Sequence, residues 1–185
     1  HTIIGSGSYG CVTKPAFKCK GQMQDEKYYE ISKITNQVGA EREHKIMSFL
    51  RQYDELKQYI LDSDACQPMV SSNINGSGFK WTAERCRDRN IGKSYVFTKD
   101  FNLHNDAWLL QMKDGGIPMY IYENQIIDMS KKRQKKFLQA ISKIIHCLEL
   151  FQEKGLMHCD IKLDNILYDE NSGNTNFDAP MNGTI

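Results

Sequence analysis

The feature that most constrains the fold is a glycine-rich run near the start of the chain. Residues 1–13 read H-T-I-I-G-S-G-S-Y-G-C-V-T, so a short apolar strand leads into Gly5, Gly7 and Gly10. Glycine lets a backbone approach phosphate groups closely and adopt positive φ. A dinucleotide-binding turn would continue into a helix, which Pro15 disfavours here. The run therefore predicts two strands joined by a glycine loop, which either covers phosphates or is simply a flexible turn.

A lysine on the next predicted strand is a candidate phosphate ligand. Residues 28–34 alternate as Tyr-Tyr-Glu-Ile-Ser-Lys-Ile, which is typical of a β-strand. Lys33 is flanked by isoleucines, and it lies either at a solvated strand edge or against a phosphate. A helix is predicted over 37–53, and Glu41 or Glu43 could pair with Lys33 or face solvent. The apolar face of that helix comprises Val38, Ile46, Phe49, Leu50 and Tyr53.

The middle of the chain is rich in turn-forming residues. Residues 54–65 could continue as helix, and 66–95 contain one proline and several asparagines and glycines. Within that stretch, short strands are predicted at 79–82 and 95–97, and the charged run 84–89 is predicted to be a solvated turn.

An apolar strand is predicted over 107–112, Ala-Trp-Leu-Leu-Gln-Met, and Lys-Asp-Gly-Gly follows at 113–116. The glycine pair could close a hairpin or form a hinge between two parts of the chain. Backbone groups of a hinge can hydrogen-bond an adenine without a particular side chain, and Met112 would then line the back of the purine pocket.

The clearest helix is predicted over 130–154. Ser130 is a suitable N-cap, and Gly155 is a suitable stop. The lysines and arginine at 131–136 are read as a solvated face, because no aromatic residues alternate with them as in a nucleic-acid site. The apolar stripe comprises Phe137, Leu138, Ile141, Ile144, Ile145, Leu148 and Phe151.

A polar cluster suited to phosphate chemistry follows this helix, in the run His-Cys-Asp-Ile-Lys-Leu-Asp-Asn. Asp160 can accept a proton, Lys162 can neutralise a phosphate, and the amide oxygen of Asn165 can hold a metal ion. His158 can brace the loop by hydrogen bonding. Apolar residues 166–168 come next, which predicts a loop beside a short buried strand.

Composition excludes few functions. The 185 residues carry a net charge of +1, so no global positive field favours nucleic acid. No run approaches the ~20 apolar residues of a membrane span, and no signal peptide is evident. The six cysteines form no C-x-x-C pair, so reduced thiols in a cytoplasmic compartment are expected.

Taken together, these motifs resemble the protein kinase superfamily. Lysine two residues after the aspartate is typical of serine/threonine kinases, the Gly-Gly-Ile hinge is similar to that of haspin-like kinases, and the opening looks like kinases of large DNA viruses. If the chain is viral, the resemblance places it in the host cytoplasm or the virion. The motifs that carry the resemblance are Gly5-x-Gly7-x-x-Gly10-x-Val12, Lys33, Glu43, the hinge at 113–116 and His158-x-Asp160-x-Lys162-x-x-Asn165.

The resemblance implies an α+β, kinase-like fold. It places a β-rich small lobe with one main helix at 1–112, with an insertion at about 54–95, then the hinge at 113–116. The beginning of a helical large lobe follows at 117–185.

The function it implies is ATP- and Mg²⁺-dependent phosphoryl transfer to Ser/Thr hydroxyls of a protein substrate, with neither nucleic acid nor membrane as partner. Asp160 and Lys162 would be catalytic, Asn165 would bind metal, and Glu43 rather than Glu41 would hold Lys33. The nucleotide-binding set would be Ile4, Gly5, Gly7, Gly10, Val12, Lys33, Glu43, Met112, Lys113 and Gly115.

Two departures from the family pattern matter. Cys159 replaces the arginine that commonly precedes the catalytic aspartate, which puts control by a phosphorylated activation loop in doubt. The Asp-Phe-Gly metal motif is missing: Asp178 has suitable spacing but no apolar strand is predicted before it. The expectation is that 169–183 are an insertion and that the motif lies beyond Ile185. A kinase-like module that binds nucleotide without turnover is therefore the alternative function.

Overall fold

The chain folds as an α+β protein of two compact units. The first unit comprises His1–Lys45 and Ser63–Asp114, and the second comprises Ile46–Asp62 and the described residues from Gly115 onward. The computed structural model describes residues 1–21, 29–69, 78–90, 96–98, 100–102, 105–158 and 160–177.

The first unit is built on a five-stranded antiparallel sheet with the order β1-β2-β3-β5-β4. The predicted strand at 107–112 is confirmed, whereas the one predicted at 28–34 begins only at Ile31. The strands are β1 (Thr2–Gly7), β2 (Gly10–Lys14), β3 (Ile31–Asn36), β4 (Ser63–Cys66) and β5 (Ala107–Met112).

Strand register divides this sheet into two faces, because directly opposed residues point to the same side. Val12, Lys33 and Leu110 are opposed in turn, and their side is called the front face. The other side, the back face, carries the core of the unit. The buried residues of that core are Cys11, Phe17, Ile34, Phe79, Ala83, Cys86, Val96, Phe97, Phe101, Ala107 and Leu109.

Helix α2 (Phe79–Asn90) packs against the back face and corrects two predictions. Neither the strand at 79–82 nor the solvated turn at 84–89 is present. Aromatic residues and threonine favour strands locally, but Phe79, Ala83 and Cys86 recur at helical spacing and are all buried against the sheet. The strand predicted at 95–97 is also absent from its described residues, 96 and 97.

Two disulfides contradict the expectation of reduced thiols. Cys11 pairs with Cys86 and Cys19 pairs with Cys66, with Cα–Cα distances of 6.0 and 5.7 Å, respectively. These distances suit a disulfide. The pairs are 75 and 47 residues apart, so no local spacing could reveal them. Cys147 is free and buried, and Cys159 lies outside the described residues.

Helix α1 (Gln37–Leu50) follows β3 directly and is three residues shorter than predicted. The Asn36 side chain caps it by accepting a hydrogen bond from the Gly39 amide at 2.8 Å. Val38, which was assigned to the apolar face, is 74% exposed. Residues 54–65 are not a helical continuation, because a single 3₁₀ turn at Asp54–Leu56 is followed by β4.

The second unit combines helix α3 (Lys131–Glu153) with a small antiparallel sheet of order β6-β7-β8. The predicted helix and its cap are confirmed, since the Ser130 hydroxyl accepts a hydrogen bond from the Arg133 amide. The buried stripe is narrower than predicted, because Leu138 and Ile145 are more than half exposed. The strands are β6 (Ile117–Pro118), β7 (Ile166–Asp169) and β8 (Asn174–Phe177).

Strand β8 corrects the expectation that no strand precedes Asp178. It pairs with β7 residue for residue, from Ile166 opposite Phe177 to Asp169 opposite Asn174. Gly173 closes the turn with φ of +72°, a conformation that glycine adopts without strain. A strand therefore does precede position 178, although Asp178 itself and the strand expected at 183–185 lie outside the described residues.

The part of the chain that the structure describes contains no helix that is both long and apolar enough to cross a bilayer.

Candidate functional site

The glycine run forms the β1–β2 hairpin, with Gly7 opposite Gly10 and Ser8-Tyr9 at the turn. Gly10 has φ of +136°, and a Cβ there would overlap the Ile34 carbonyl oxygen, so the packing of β2 on β3 requires glycine. Gly5 and Gly7 differ. A Cβ on Gly7 would meet nothing within 4 Å, and one on Gly5 would make only ordinary contact with Val12.

The two apolar residues of the motif, Ile4 and Val12, differ in how far they are exposed. The strand register shifts between Ile3 and Gly5, which places Ile4 at an irregularity where its side chain is 53% exposed. Val12 is half-buried and lies opposite Lys33 on the front face.

A buried ion pair lies on the front face. The Lys33 ammonium donates to both carboxylate oxygens of Glu43, at 2.7 and 2.9 Å. The residues are 8% and 3% exposed, respectively. Alternation along β3 places Lys33 on this face, and α1 presents Glu43 to it. Glu41 instead accepts from Gln37 in an exposed contact on its own helix, so Glu43 is the partner of Lys33.

The end of β5 is anchored by backbone contacts within the first unit. The Met112 side chain is 2% exposed, and its carbonyl accepts a hydrogen bond from the Glu30 amide. The Glu30 carboxylate in turn accepts from the Asp114 amide, and the Asp114 carboxylate pairs with Lys14 at 2.5 Å. Lys113 is exposed between these anchors. Two hydrogen bonds to the backbone and the Asp114–Lys14 ion pair together fix the backbone path over 112–114.

The glycine pair after β5 is required by close packing inside the second unit. A Cβ on Gly115 would press on the Leu167 side chain. Gly116 has φ of +103° and lies directly on the Tyr168 backbone. The glycine pair is therefore explained by contact with β7.

The polar loop of the second unit brings three of the predicted residues together. The Lys162 ammonium lies 3.1 Å from the Asp160 carboxylate. The Asn165 amide nitrogen donates to the same carboxylate at 2.7 Å and to the Asp160 carbonyl at 2.9 Å. Lys162, and then Asn165, hold the pKa of Asp160 below its ordinary value despite some desolvation. The carboxylate is therefore ionised at neutral pH and can accept a hydrogen bond.

His158 braces this loop from the interior. It is 7% exposed, and its ring packs near Phe151 and Phe177. The Nδ1 atom accepts a hydrogen bond from the Asp160 amide at 3.3 Å, so the network assigns the proton to Nε2. Burial lowers the pKa of His158, and the ring is neutral at neutral pH. Its Nε2 meets no partner among the described residues.

The donors suit a magnesium ion only in part. With its nitrogen turned toward Asp160, Asn165 directs its amide oxygen elsewhere and leaves it available to a cation. Mg²⁺ takes oxygen ligands and commonly keeps several waters or phosphate oxygens, so one or two protein ligands suffice. Within the described ranges no group of three or more His, Cys, Asp or Glu side chains could hold a metal, and Asp178 lies outside them.

Sequence reasoning missed the two disulfides and the Lys14–Asp114 pair, and no local spacing pointed to any of them. For strand β8, the glycine at 173 between two polar runs was the available sign of a hairpin. Neither a comparison with models of known protein families nor a search of curated proteins finds a match to this chain, so its function is argued from the residues and contacts above.

Proposed function

We propose that this protein is an ATP-dependent kinase that transfers a phosphoryl group to Ser/Thr hydroxyls of protein substrates. The observation that carries the proposal is the buried Lys33–Glu43 pair beside the glycine hairpin. A Cβ on Gly10 would lie 3.5 Å from Cγ of Lys33, so the hairpin and the aliphatic part of the Lys33 side chain are neighbours. Burying a charge costs free energy, so a buried charge is expected where a strong partner offsets that cost or where a function requires the charge. A lysine fixed beside a glycine loop is suited to bind nucleotide phosphates.

The hairpin glycines support the same function. Because the fold needs glycine at Gly10 but tolerates a side chain at Gly7, folding alone does not explain Gly7. Close approach of a phosphate to the backbone does explain it. The nucleotide would also contact Ile4, Gly5 and Val12, while Met112 and the backbone of Lys113 and Gly115 would bind the adenine.

The second unit supplies groups for the transfer step. Asp160 is ionised, so it accepts a hydrogen bond from the substrate hydroxyl and orients the oxygen toward the γ-phosphorus. The new O–P bond forms as the bond to the β–γ bridging oxygen breaks, and the hydroxyl proton passes late to Asp160, which is a weak base. Lys162 neutralises charge on the moving phosphoryl group.

A magnesium ion would be held by the amide oxygen of Asn165 and by Asp178. When bound, it neutralises charge on the phosphate oxygens. Strand β8 ends at Phe177, one position before Asp178 in the sequence.

The proposal is tested by Asp160→Asn, with Asp164→Asn as the matched control. Both remove one carboxylate from the same loop, but Asp164 is exposed and carries no assigned role. With Mg²⁺ and γ-labelled ATP, Asp160→Asn is expected to lower kcat for a Ser/Thr protein substrate by at least about a thousandfold, with ATP affinity little changed. Asp164→Asn is expected to stay close to the unmodified protein. Phosphoryl transfer retained in Asp160→Asn contradicts the assignment.

A module that binds nucleotide without turnover is the competing function. It predicts that Mg²⁺-ATP raises the Tm of the protein while no labelled phosphate reaches any hydroxyl acceptor. Lys33→Met would abolish that Tm shift under either function, so transfer to the acceptor is the measurement that separates them.

A further inference from the structure

Four cysteines are arranged in a regular way on the back face of the first unit. Strand register places Cys11, Ile34, Leu109 and Cys66 directly opposite one another on β2, β3, β5 and β4. They form one transverse row that has a cysteine at each end. The disulfide partners, Cys86 and Cys19, do not belong to the sheet strands.

Both partners belong to the layer that covers the row. Cys86 lies on α2, and Cys19 lies in the segment after β2, whose Phe17 ring packs edge-on against Phe79 of α2. Each disulfide therefore fastens the same covering layer to one end of the row. We call the layer formed by residues 15–19 and α2 the cover.

The two disulfides differ in their accessibility to solvent and in the contacts around them. Cys11 and Cys86 are both completely buried, whereas Cys19 is 9% exposed and Cys66 is half-buried. Backbone hydrogen bonds also join residues 18–20 to 67–69, so that end of the cover stays paired without its disulfide. Cys11 immediately follows Gly10 and lies opposite Ser6 beside the hairpin turn, so the Cys11–Cys86 disulfide anchors the turn end of the glycine hairpin to α2.

We propose that the two disulfides are a reversible redox clamp in which Cys19–Cys66 opens first and Cys11–Cys86 then releases the glycine hairpin from the cover. Accessible sulfurs react first because thiol–disulfide exchange requires direct attack on sulfur. Burial raises the pKa of the Cys147 thiol to about 12, so Cys147 stays a thiol and does not compete.

The exchange partner is a low-molecular-weight thiol–disulfide couple such as glutathione. In closure, one cysteine thiol loses its proton and attacks oxidised glutathione as the thiolate, which breaks the glutathione S–S bond, forms a mixed disulfide and releases a glutathione thiolate that takes up the proton. The second cysteine thiol likewise loses its proton and attacks the protein sulfur of that mixed disulfide, which releases the second glutathione thiolate to be protonated. Two electrons and two protons pass from the cysteine pair to glutathione, and opening is the reverse.

The consequence for nucleotide binding rests on the proposed function. A hairpin held near its turn loses less conformational entropy when it closes over phosphates. The oxidised protein is therefore expected to bind ATP about three- to tenfold more tightly than the reduced protein.

The order of opening is tested by titrating the oxidised protein with reduced glutathione, alkylating the free thiols and mapping peptides by mass spectrometry. Peptides joined through Cys11–Cys86 and Cys19–Cys66 are expected at the start, with Cys19 and Cys66 alkylated first. Other pairings, no pairing after equilibration with oxidised glutathione, or simultaneous opening overturns the clamp.

Release of the hairpin is tested by amide hydrogen exchange on the same samples. Protection of β2 and α2 is expected to fall by at least about tenfold when Cys11–Cys86 opens, but not when only Cys19–Cys66 opens. The variant Cys19→Ala/Cys66→Ala is the matched control, and it should retain that protection until its remaining disulfide is reduced. Unchanged protection after full reduction overturns the clamp.

Measuring ATP affinity in both redox states separates the two proposals. Binding that weakens on reduction supports both. Equal affinity in the two states overturns the coupling to the hairpin and leaves the kinase proposal intact. Absence of ATP binding in both states overturns the kinase proposal, whereas the clamp is decided by the peptide map and the exchange data.

Discussion

Removing one partner of the Lys33–Glu43 pair should destabilise the first unit strongly. In Glu43→Leu, the Lys33 ammonium keeps its buried position but loses two charge-assisted hydrogen bonds, at 2.7 and 2.9 Å. Hydrogen bonds to charged groups contribute about 1.5–3 kcal/mol each, and an uncompensated buried charge costs about 3–5 kcal/mol. Because both side chains are at most 11% exposed, solvent screening reduces the cost little, and we expect about 3–5 kcal/mol.

The double variant Lys33→Met/Glu43→Leu should behave very differently. It removes both charges and replaces them with apolar groups of similar length, so no unpaired ion remains. Its free energy of unfolding should lie within about 1 kcal/mol of the unmodified protein, or above it. Neither variant should bind ATP, because the phosphate-binding ammonium is displaced or absent. Both variants would thus lose ATP binding, whereas only Glu43→Leu would lose stability.

Urea unfolding followed by tryptophan fluorescence is a suitable assay, because both tryptophans, Trp81 and Trp108, lie in the first unit. Glu41→Leu is the control: its exposed contact with Gln37 should contribute no more than about 0.5 kcal/mol. A cost below about 1 kcal/mol for Glu43→Leu, or a double variant less stable than both single variants, would refute the reasoning.

Three further outcomes follow from the described contacts. Gly10→Ala should cost about 2 kcal/mol or more in urea unfolding, because of its positive φ and the overlap with β3, whereas Gly7→Ala should leave stability within about 1 kcal/mol and weaken ATP binding. Losing the Cys11–Cys86 disulfide, which spans 75 residues, should lower the free energy of unfolding by about 4 kcal/mol, measured in urea as the difference between the oxidised and the reduced Cys19→Ala/Cys66→Ala variant. Because the pKa of His158 is lower in the folded state, the unfolded state takes up the proton at a higher pH than the folded state does. The free energy of unfolding therefore falls as pH drops through the ordinary value of 6.5 toward the folded-state pKa. His158→Phe should reduce that loss between pH 7.5 and 5.5 relative to the unmodified protein, and an unchanged pH dependence contradicts the assignment.

The elements that sequence reasoning predicted correctly are those in which local pattern and burial agree. Helix α3 has a capping serine, a long apolar stripe and a glycine stop, so its ends lie close to their predicted positions. Strand β5 is apolar except for Gln111, and it lies inside the sheet between β3 and β4. Both elements are long and strongly patterned, so tertiary contacts had little to override.

Elements whose local preference conflicts with their environment were missed. Residues 79–82 favour a strand by composition, but packing against the back face makes them the start of α2. Residues 174–177 are mostly polar, and they form a strand because β7 offers unpaired backbone groups across a tight turn. Neither the packing surface nor the partner strand is encoded within the segment itself.

The sequence by itself determined the positions of the glycine run, Lys33 and the Asp160–Asn165 loop, because these rest on residue types at short spacing. The residues alone left Glu41 and Glu43 open and the family resemblance favoured Glu43, whereas the tertiary structure gives the physical reason, since Glu43 lies on the side of α1 that faces β3. It also decided that Gly10 is required by packing while Gly7 is not. The disulfides depend on the packing of the cover against the sheet, which brings residues 47 and 75 positions apart to within about 6 Å, and no local pattern carries that information.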